Sequence, residues 1–305
     1  MFDLVTVGHL AIDSIILPKI ASPTRTLGGP PTYTSIAAAK LGAKVSIISK
    51  VGGDFKSEYL EWLKTNDVDL SGLKQVKDAA TTRFTLTYTK DQPRLQLENR
   101  APNISPHDIP DSLQTKAVHV ASIASEVQYP AIAKLQRLTE IVSLDPQGFV
   151  RTFDKNGNTR LQQWKANQAL SHIDVYKSSS REIGMVARAR KLPLAMREIR
   201  DHGPKIVMVT QGMKGTTLLM NNEFYHVPAC EPRVFRDPTG AGDVFVGAFL
   251  AEYLRGKEPG WCACVGSAAS SFVVEDIGPA AFGRKKEVYR RARKIYEKGL
   301  KQLSL

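Results

Sequence analysis

The sequence predicts an α/β fold with a mostly parallel sheet. Two short apolar runs, 117–121 and 141–144, are typical of buried strands, and a helical stretch around 131–138 separates them. Strand, helix and strand in this order are typical of parallel strands joined by a crossover helix. A further observation is the run 237–243, which contains two glycines and leads into small apolar residues with helical periodicity. Together these stretches favour alternating strands and helices.

Length and composition are those of an ordinary globular protein. The 305 residues suffice for one large core, with or without a small appendage, and 42% of them are hydrophobic and 24% charged. No apolar run approaches the ~20 residues of a membrane span, and the acidic start is unlike a signal peptide. Cys230, Cys262 and Cys264 form neither an even disulfide set nor a metal-binding spacing. We therefore expect reduced thiols, a cytoplasmic location and no membrane partner.

The net charge of +12 is concentrated near the C-terminus, where residues 284–301 carry nine Lys or Arg and two Glu. Apolar residues recur there at helical spacing: Val288, Ala292, Ile295, Tyr296 and Leu300. The segment is therefore predicted to be an amphipathic helix with a solvated basic face. Nucleic-acid binding is the less favoured alternative, because no basic motif with interleaved aromatic residues accompanies the charge.

Two features of the first hundred residues have open interpretations. Asp13 follows the predicted strand 2–7 and stands among apolar residues. Such a carboxylate is either a satisfied turn residue or a ligand for hydroxyl groups. Residues 83–89 and 94–98 alternate around a turn at 90–93, which predicts a hairpin with one polar face. That hairpin is either the cover of a neighbouring site or a surface element without a role.

The run 237–243 reads Asp-Pro-Thr-Gly-Ala-Gly-Asp. Its glycines let the backbone approach a ligand closely, and the helix that follows places unpaired N–H groups and a positive dipole end beside them. This combination predicts an anion site. Asp243 falls in the first turn, where a carboxylate is suited to take the proton of a hydroxyl that attacks a phosphate. The alternative is an ordinary N-capping aspartate.

The run resembles the C-terminal signature of the ribokinase-like (PfkB) carbohydrate kinases, D-[TP]-x-G-A-G-D, and Gly28-Gly29 before a helix resembles the N-terminal signature. The resemblance implies a three-layer α/β/α fold in one domain, 1–305, with a small β lid from about 14–27 and 83–98. It implies that Asp243 is the catalytic base. The amides of Gly240, Ala241 and Gly242 would form the anion hole for the transferring phosphate.

The same resemblance implies an acceptor site at Asp13, Gly28 and Gly29. Tyr33 stands where ribokinases commonly have an asparagine that contacts the sugar. The run 145–151, which contains Gln147 and Arg151, is similar to the inositol-kinase-like branch of the family. We therefore expect a sugar or polyol acceptor, with myo-inositol favoured. A nucleoside or ribose kinase is the alternative within the family, and a catalytically silent nucleotide-binding regulator is the alternative outside it.

For the donor, the resemblance implies ATP and Mg²⁺. Glu182 would hold Mg²⁺ through water, although Ser179 replaces the asparagine of the family's N-x-x-E pattern. Asp237 and Thr239 are candidates for a monovalent-cation site such as K⁺. The expected nucleotide-binding residues are Lys177, Ser179, Thr210, Gly212, Gly215 and Gly278. We expect a monomer or homodimer that has the nucleotide and a small acceptor as its partners.

Overall fold

The computed structural model describes residues 1–18, 22–89 and 94–303. The predicted turn at 90–93 lies outside the described residues. The strands are β1 Phe2–Val7, β2 Ala11–Ile16, β3 Thr24–Gly28, β4 Val45–Gly52, β5 Val68–Val76, β6 Thr82–Thr87, β7 Arg94–Asn99, β8 Thr115–Val120, β9 Ile141–Leu144, β10 Arg151–Phe153, β11 Thr159–Leu161, β12 Val175–Ser179, β13 Ile206–Thr210, β14 Thr216–Met220, β15 Glu223–Val227 and β16 Lys301–Leu303. The helices are α1 Pro30–Lys40, α2 Ser57–Thr65, α3 Tyr129–Leu138, α4 Asn167–Leu170, α5 Leu192–Asp201, α6 Ala241–Tyr253, α7 Pro259–Val273 and α8 Lys285–Tyr296.

The central sheet has ten strands in the order β16-β15-β14-β13-β12-β9-β8-β1-β4-β5. All neighbours from β5 to β13 are parallel, whereas β14, β15 and β16 add antiparallel strands at one edge. One hydrophobic cluster includes residues of α1, α6, α7 and α8, and another includes residues of α3 and α5. The predicted three-layer α/β/α arrangement with a mostly parallel sheet is thus confirmed.

Close packing of α1 on α6 brings the starts of these two helices together. A Cβ atom on Gly247 of α6 would lie 2.3 Å from the carbonyl oxygen of Thr34 in α1. Only glycine permits this approach, because any side chain at that position would overlap the α1 backbone. The two helix starts, which carry the two signature runs, therefore lie beside each other at one end of the sheet.

A second sheet of four strands has the order β3-β2-β6-β7. Strands β6 and β7 pair antiparallel, as predicted from the alternation at 83–98, and β2 pairs parallel to β6. A two-stranded ribbon, β10-β11, touches β7 through a bridge between Gln96 and Asn158. The chain therefore has a small β-sheet beside its main sheet, as the fold class predicted.

The C-terminal segment differs in part from its prediction. Helix α8 buries Val288, Ala292 and Ile295, as its periodicity predicted, but it ends at Tyr296. The expected helix to residue 301 is wrong, because Gly299 has a φ of +78° and the chain then forms β16 against β15. Among the described residues, no helix is both long and apolar enough to cross a membrane.

Candidate active site

The start of α6 is shaped by Gly240, which has a φ of +75°. A Cβ atom there would lie 2.2 Å from the Tyr33 ring, so both the backbone conformation and the space require glycine. Ala241 donates its N–H to the Pro238 carbonyl at 3.2 Å. Of the three amides expected in the anion hole, that of Ala241 is thus already engaged. The loop amide best placed to bind an anion is that of Gly242, in the first turn of the helix.

Asp243 is held from two sides by residues distant in the sequence. Its Oδ1 accepts a hydrogen bond from Gln147 Nε2 at 3.1 Å, and its backbone carbonyl accepts one from Thr34 Oγ1 at 3.2 Å. Burial raises the pKa of Asp243 to about 7, with Lys177 opposing the rise and Asp145 adding to it. Gln147, which was predicted to contact the acceptor, orients this carboxylate.

A buried ion pair lies beneath the loop. Lys177 Nζ is 2.6 Å from Asp145 Oδ2, and both side chains are almost fully buried. A Cβ atom on Gly242 would lie 2.6 Å from Lys177 Nζ. The structure thus places Lys177, expected at the nucleotide, under the proposed anion hole. Asp145 was not singled out by sequence reasoning, although its position at the end of a buried strand was a usable signal.

A cavity of about 180 Å³ lies between the second sheet and the start of α6. Its polar lining includes Asp13, Tyr33, Gln147, Arg151 and Asp243. Its apolar lining includes Phe84, Leu86, Leu95 and Ile123, none of which was singled out from the sequence. We call this cavity the acceptor cavity.

Two buried polar atoms of the acceptor cavity have no hydrogen-bond partner among the described residues: Asp13 Oδ1 and the Tyr33 hydroxyl. Asp13 and Tyr33 are only 3% and 1% exposed. Burial, together with the charges of Asp237 and Asp243, raises the pKa of Asp13 to about 7. Because unpaired buried polar groups are costly, these two atoms are suited to bind the hydroxyl groups of a ligand.

The glycine pair before α1 makes room for Asp13. A Cβ atom on Gly28 would lie 1.9 Å from Asp13 Oδ2. Gly29 has a φ of +86° and lines the acceptor cavity. Gly28 therefore accommodates the carboxylate, and of the two expected contacts with the acceptor only that of Gly29 is at the cavity wall.

Arg151 lines both the acceptor cavity and a larger cavity of about 700 Å³, and Glu182 lines the larger one. Arg151 Nη2 is 3.5 Å from Glu182 Oε1, while Glu182 Oε2 accepts from Ser179 N and Oγ at 2.9 and 2.6 Å. Burial alone would raise the pKa of Glu182, but Arg151 and Lys177 hold it below its usual value. Glu182 is thus an ionised carboxylate, and Ser179 positions it.

A further cavity of about 220 Å³ lies on the other side of the α6 start, and we call it the donor cavity. Thr210, Gly212 and Gly215, three of the residues predicted to bind the nucleotide, line it. Its wall is otherwise largely apolar and includes Ala229, Cys230, Phe235, Phe245 and Val274. The Gly240–Gly242 segment therefore separates two cavities of different character.

Asp237 organises the loop that precedes α6. Its Oδ1 accepts from Thr239 N at 2.9 Å and from Thr239 Oγ1 at 2.5 Å, and its Oδ2 accepts from Gly278 N at 2.9 Å. Gly278, which was predicted to bind the nucleotide, supports this loop through its N–H. The Tyr88 hydroxyl, just after β6, is 2.7 Å from Thr239 Oγ1, so the second sheet is tied to the loop. Tyr88 was missed because nothing in its local sequence signals that contact.

Residues 1–286 match the pfkB family of carbohydrate kinases. The chain is 30% identical over 284 residues to a cytidine kinase of Thermococcus kodakarensis, covering 91% of this chain and 98% of that one. It is 27% identical over 297 residues to an inositol 3-kinase of Oryza sativa subsp. japonica, covering 91% and 69%.

Among solved structures, the fold is similar to that of a pyrophosphate-dependent kinase in the ribokinase family complexed with a pyrophosphate analog and myo-inositol. The TM-score is 0.80 at 23% identity, and the match covers 94% of this chain and 99% of the other. This similarity shows the shared ribokinase-like fold. With the family match across almost the whole chain, the conclusion is that the protein belongs to the pfkB family of carbohydrate kinases.

Proposed function

We propose that this kinase transfers the γ-phosphoryl group of a nucleoside triphosphate to a hydroxyl group of a nucleoside. One observation carries the proposal: two cavities meet across the start of α6. Gly240 and Asp243 line the acceptor cavity, whereas Ala241 and Gly242 line the donor cavity. A phosphoryl group passing from one cavity to the other must cross this helix start, where the base and the positive dipole end lie together.

Each residue of this junction has a role in the proposed reaction. Asp243 takes the proton of the acceptor hydroxyl, whose oxygen bonds to the γ-phosphorus while the bond to the leaving nucleoside diphosphate breaks. The Gly242 amide and the Lys177 ammonium group beneath it offset the negative charge of the transferring group. Asp145 keeps Lys177 in place and ionised through the 2.6 Å ion pair.

The two-sided acceptor cavity favours a nucleoside. Asp13 can bind the vicinal hydroxyls of a ribose. Its Oδ1, which no described residue contacts through a hydrogen bond, is suited to accept from one of them. The apolar side chains of Phe84, Leu86 and Leu95 offer the opposite end to a base. Leu86 and Leu95 also line the larger adjoining cavity, which supplies room beyond a single ring. The cytidine kinase relative supports this assignment.

A cyclic polyol such as myo-inositol is the second candidate, and Tyr33 favours it. The Tyr33 hydroxyl is buried and has no partner within the described part of the chain, so the polar side of the cavity can bind more hydroxyls than the two that Asp13 accepts. A ring bearing hydroxyls all round would satisfy both groups. The inositol 3-kinase relative supports this alternative.

The metal assignments also belong to the proposal. Among the described residues, no three His, Cys, Asp or Glu side chains form a metal-binding group. That fits Mg²⁺, which keeps most of its waters and is bound through substrate phosphates and one or two carboxylates. Glu182 would hold it through water, and the ion would neutralise phosphate charge. Asp237 is 1% exposed, and the groups of Thr239 and Gly278 that donate hydrogen bonds to it are neutral, which suits a neighbouring K⁺ ion.

An acceptor panel tests the proposal. With ATP and Mg²⁺, we expect cytidine or another nucleoside to give a kcat/KM at least tenfold above those of ribose and myo-inositol. A tenfold preference for myo-inositol would select the second candidate. Absence of phosphorylation with every acceptor, despite nucleotide binding, would instead identify a silent nucleotide-binding regulator.

The pH dependence of turnover follows from the raised pKa of Asp243. A base must be deprotonated to act, and the pKa of this carboxyl is about 7. Asp13, which binds the acceptor as a carboxylate, also has a pKa of about 7. We therefore expect kcat/KM for the acceptor to fall by about tenfold to a hundredfold per pH unit below pH 6, and to level off above pH 8. An acid limb centred near the ordinary aspartate pKa of about 4 would contradict the assignment.

Glu182→Gln tests the metal assignment. Loss of the carboxylate charge near phosphate-bound Mg²⁺ is expected to raise the Mg²⁺ concentration for half-maximal activity several-fold. Glu198→Gln, which alters a carboxylate bonded to the backbone of Arg188 and Ala189, is the matched control. An unchanged Mg²⁺ titration in Glu182→Gln would leave Glu182 only its structural contacts with Ser179 and Arg151.

A further inference from the structure

We infer that the donor cavity does not distinguish between purine bases, so that ATP, GTP and ITP serve as phosphoryl donors with similar efficiency. The inference rests on the proposed function and concerns the same site. Selection between these donors requires side chains that read the base edge, because adenine presents an amino donor where guanine and hypoxanthine present an oxo acceptor. The lining of the donor cavity shows whether such side chains are present.

The described residues that line the donor cavity include no charged side chain, no amide side chain and no imidazole. These are the groups that commonly discriminate between bases through fixed donors or acceptors. Apart from glycines, prolines and apolar residues, the wall contains only serines, threonines and Cys230. Base reading would therefore depend on hydroxyl groups.

Three serines of the wall have already used their single hydroxyl proton. Each donates to a backbone carbonyl: Ser267 to Pro228, Ser270 to Ala241 and Ser271 to Ala268. They can only accept a further bond, and the polar edges of adenine and guanine both carry N–H groups. A remaining threonine hydroxyl, such as that of Thr216, both donates and accepts, so it pairs with an amino or an oxo group alike.

Part of the backbone along this wall cannot bind a base edge. Cys230 N–H donates to Ser267 Oγ at 2.8 Å, and the Pro228 carbonyl accepts from the same hydroxyl at 2.9 Å. Pro232 and Pro238, which also line the cavity, have no N–H to offer. Two polar backbone groups along this wall are therefore engaged, and two of its residues offer no N–H.

The rim of the cavity favours contacts that any base can make. Met213 is 58% exposed and Phe235 is 56% exposed, and both line the cavity. An exposed aromatic ring and a flexible thioether are suited to cover the face of a bound base. Stacking of this kind tolerates all bases, because every base has a π-face. The donor base is therefore held by its faces rather than by its edges.

The expected preference among donors differs between a site that hydrogen-bonds the base edge and an apolar pocket. A site that hydrogen-bonds a base edge rejects the wrong base by about 10⁴, whereas an apolar pocket discriminates by only about 10- to 200-fold. With saturating acceptor, we expect kcat/KM for ATP, GTP and ITP to lie within about tenfold of one another. A larger preference for any one of them overturns the inference.

Two variants of the full chain sharpen the test. Phe235→Ala is expected to raise the KM of all three donors by a similar factor of about three to ten, because it removes a face contact. Thr216→Val is expected to leave the ratio between the three donors unchanged within about twofold. A variant that weakens ATP alone would show edge reading and overturn the inference.

A measurement with pyrophosphate as the donor distinguishes failure of this inference from failure of the proposed function. If pyrophosphate exceeds all three nucleotides, the chain is a kinase whose donor cavity takes no base, and the inference fails on its own. If no donor phosphorylates any acceptor of the panel, the proposed function itself fails.

Discussion

Asp243→Asn is expected to lower kcat by at least about 10²-fold while the KM values for donor and acceptor stay within a few-fold of wild type. The amide has the same shape as the carboxylate but cannot take a proton. Because Asp243 faces the acceptor cavity from the first turn of α6, the loss concerns proton transfer rather than binding. Steady-state kinetics with the best acceptor of the panel measures it.

The control for this variant is a measurement of whether the loop keeps its conformation. Gln147 Nε2 donates to Asp243 Oδ1, and an asparagine Oδ1 can accept the same bond. Donor binding and the melting temperature are therefore expected to be retained. A variant that keeps a tenth of the wild-type kcat would remove Asp243 from the role of base, and a matching fall in donor affinity would point to a distorted loop instead.

The features that could be predicted from the sequence are those formed within one short run of residues. Gly240 and Asp243 belong to a run whose glycines and following helix start predict an anion site without reference to any distant residue. The hairpin β6-β7 was likewise predicted, because period-two alternation is a local signal. Local patterns of this kind depend on backbone geometry, which neighbouring residues determine.

Contacts between distant runs could not be predicted in the same way. Gln147 is bonded to a residue 96 positions away, and Tyr88 to one 151 positions away. Nothing near Gly278 shows that its N–H supports Asp237 rather than lining the donor cavity. The apolar wall of the acceptor cavity was also hidden, because buried leucine and phenylalanine in strands are typical of any core. Their position at a cavity is a property of the fold.

The helix at the C-terminus shows the limit of periodicity. The apolar positions Val288, Ala292 and Ile295 predicted α8 correctly, and Leu300 continued the same spacing. Gly299, with a φ of +78°, breaks the helix before Leu300, which then packs beside Gly260 of α7. Leu300 thus packs against α7 although it lies beyond the end of α8.

The second large effect is expected from Asp13→Asn, with a fall of about 10²-fold or more in kcat/KM for the acceptor. Asp13 is 3% exposed, and its Oδ1 has no partner among the described residues. A hydrogen bond from a hydroxyl to a charged carboxylate contributes about 1.5–3 kcal/mol, and the carboxylate can accept two from vicinal hydroxyls. Asparagine keeps one acceptor oxygen but presents N–H donors where the second hydroxyl must donate.

Comparing the effect of Asp13→Asn on the acceptor kcat/KM with its effect on the KM for ATP distinguishes a binding role from a loss of structure. Asp13 lines the acceptor cavity and not the donor cavity, so the KM for ATP is expected to stay within about threefold of wild type. Asparagine also fits the space that Gly28 leaves for the Asp13 carboxylate, so the fold is expected to persist. If the acceptor kcat/KM changes by less than tenfold, Asp13 does not hold the acceptor. The unpaired oxygen would then have to be explained by a neighbouring cation or by a proton on the carboxyl, whose pKa of about 7 permits it.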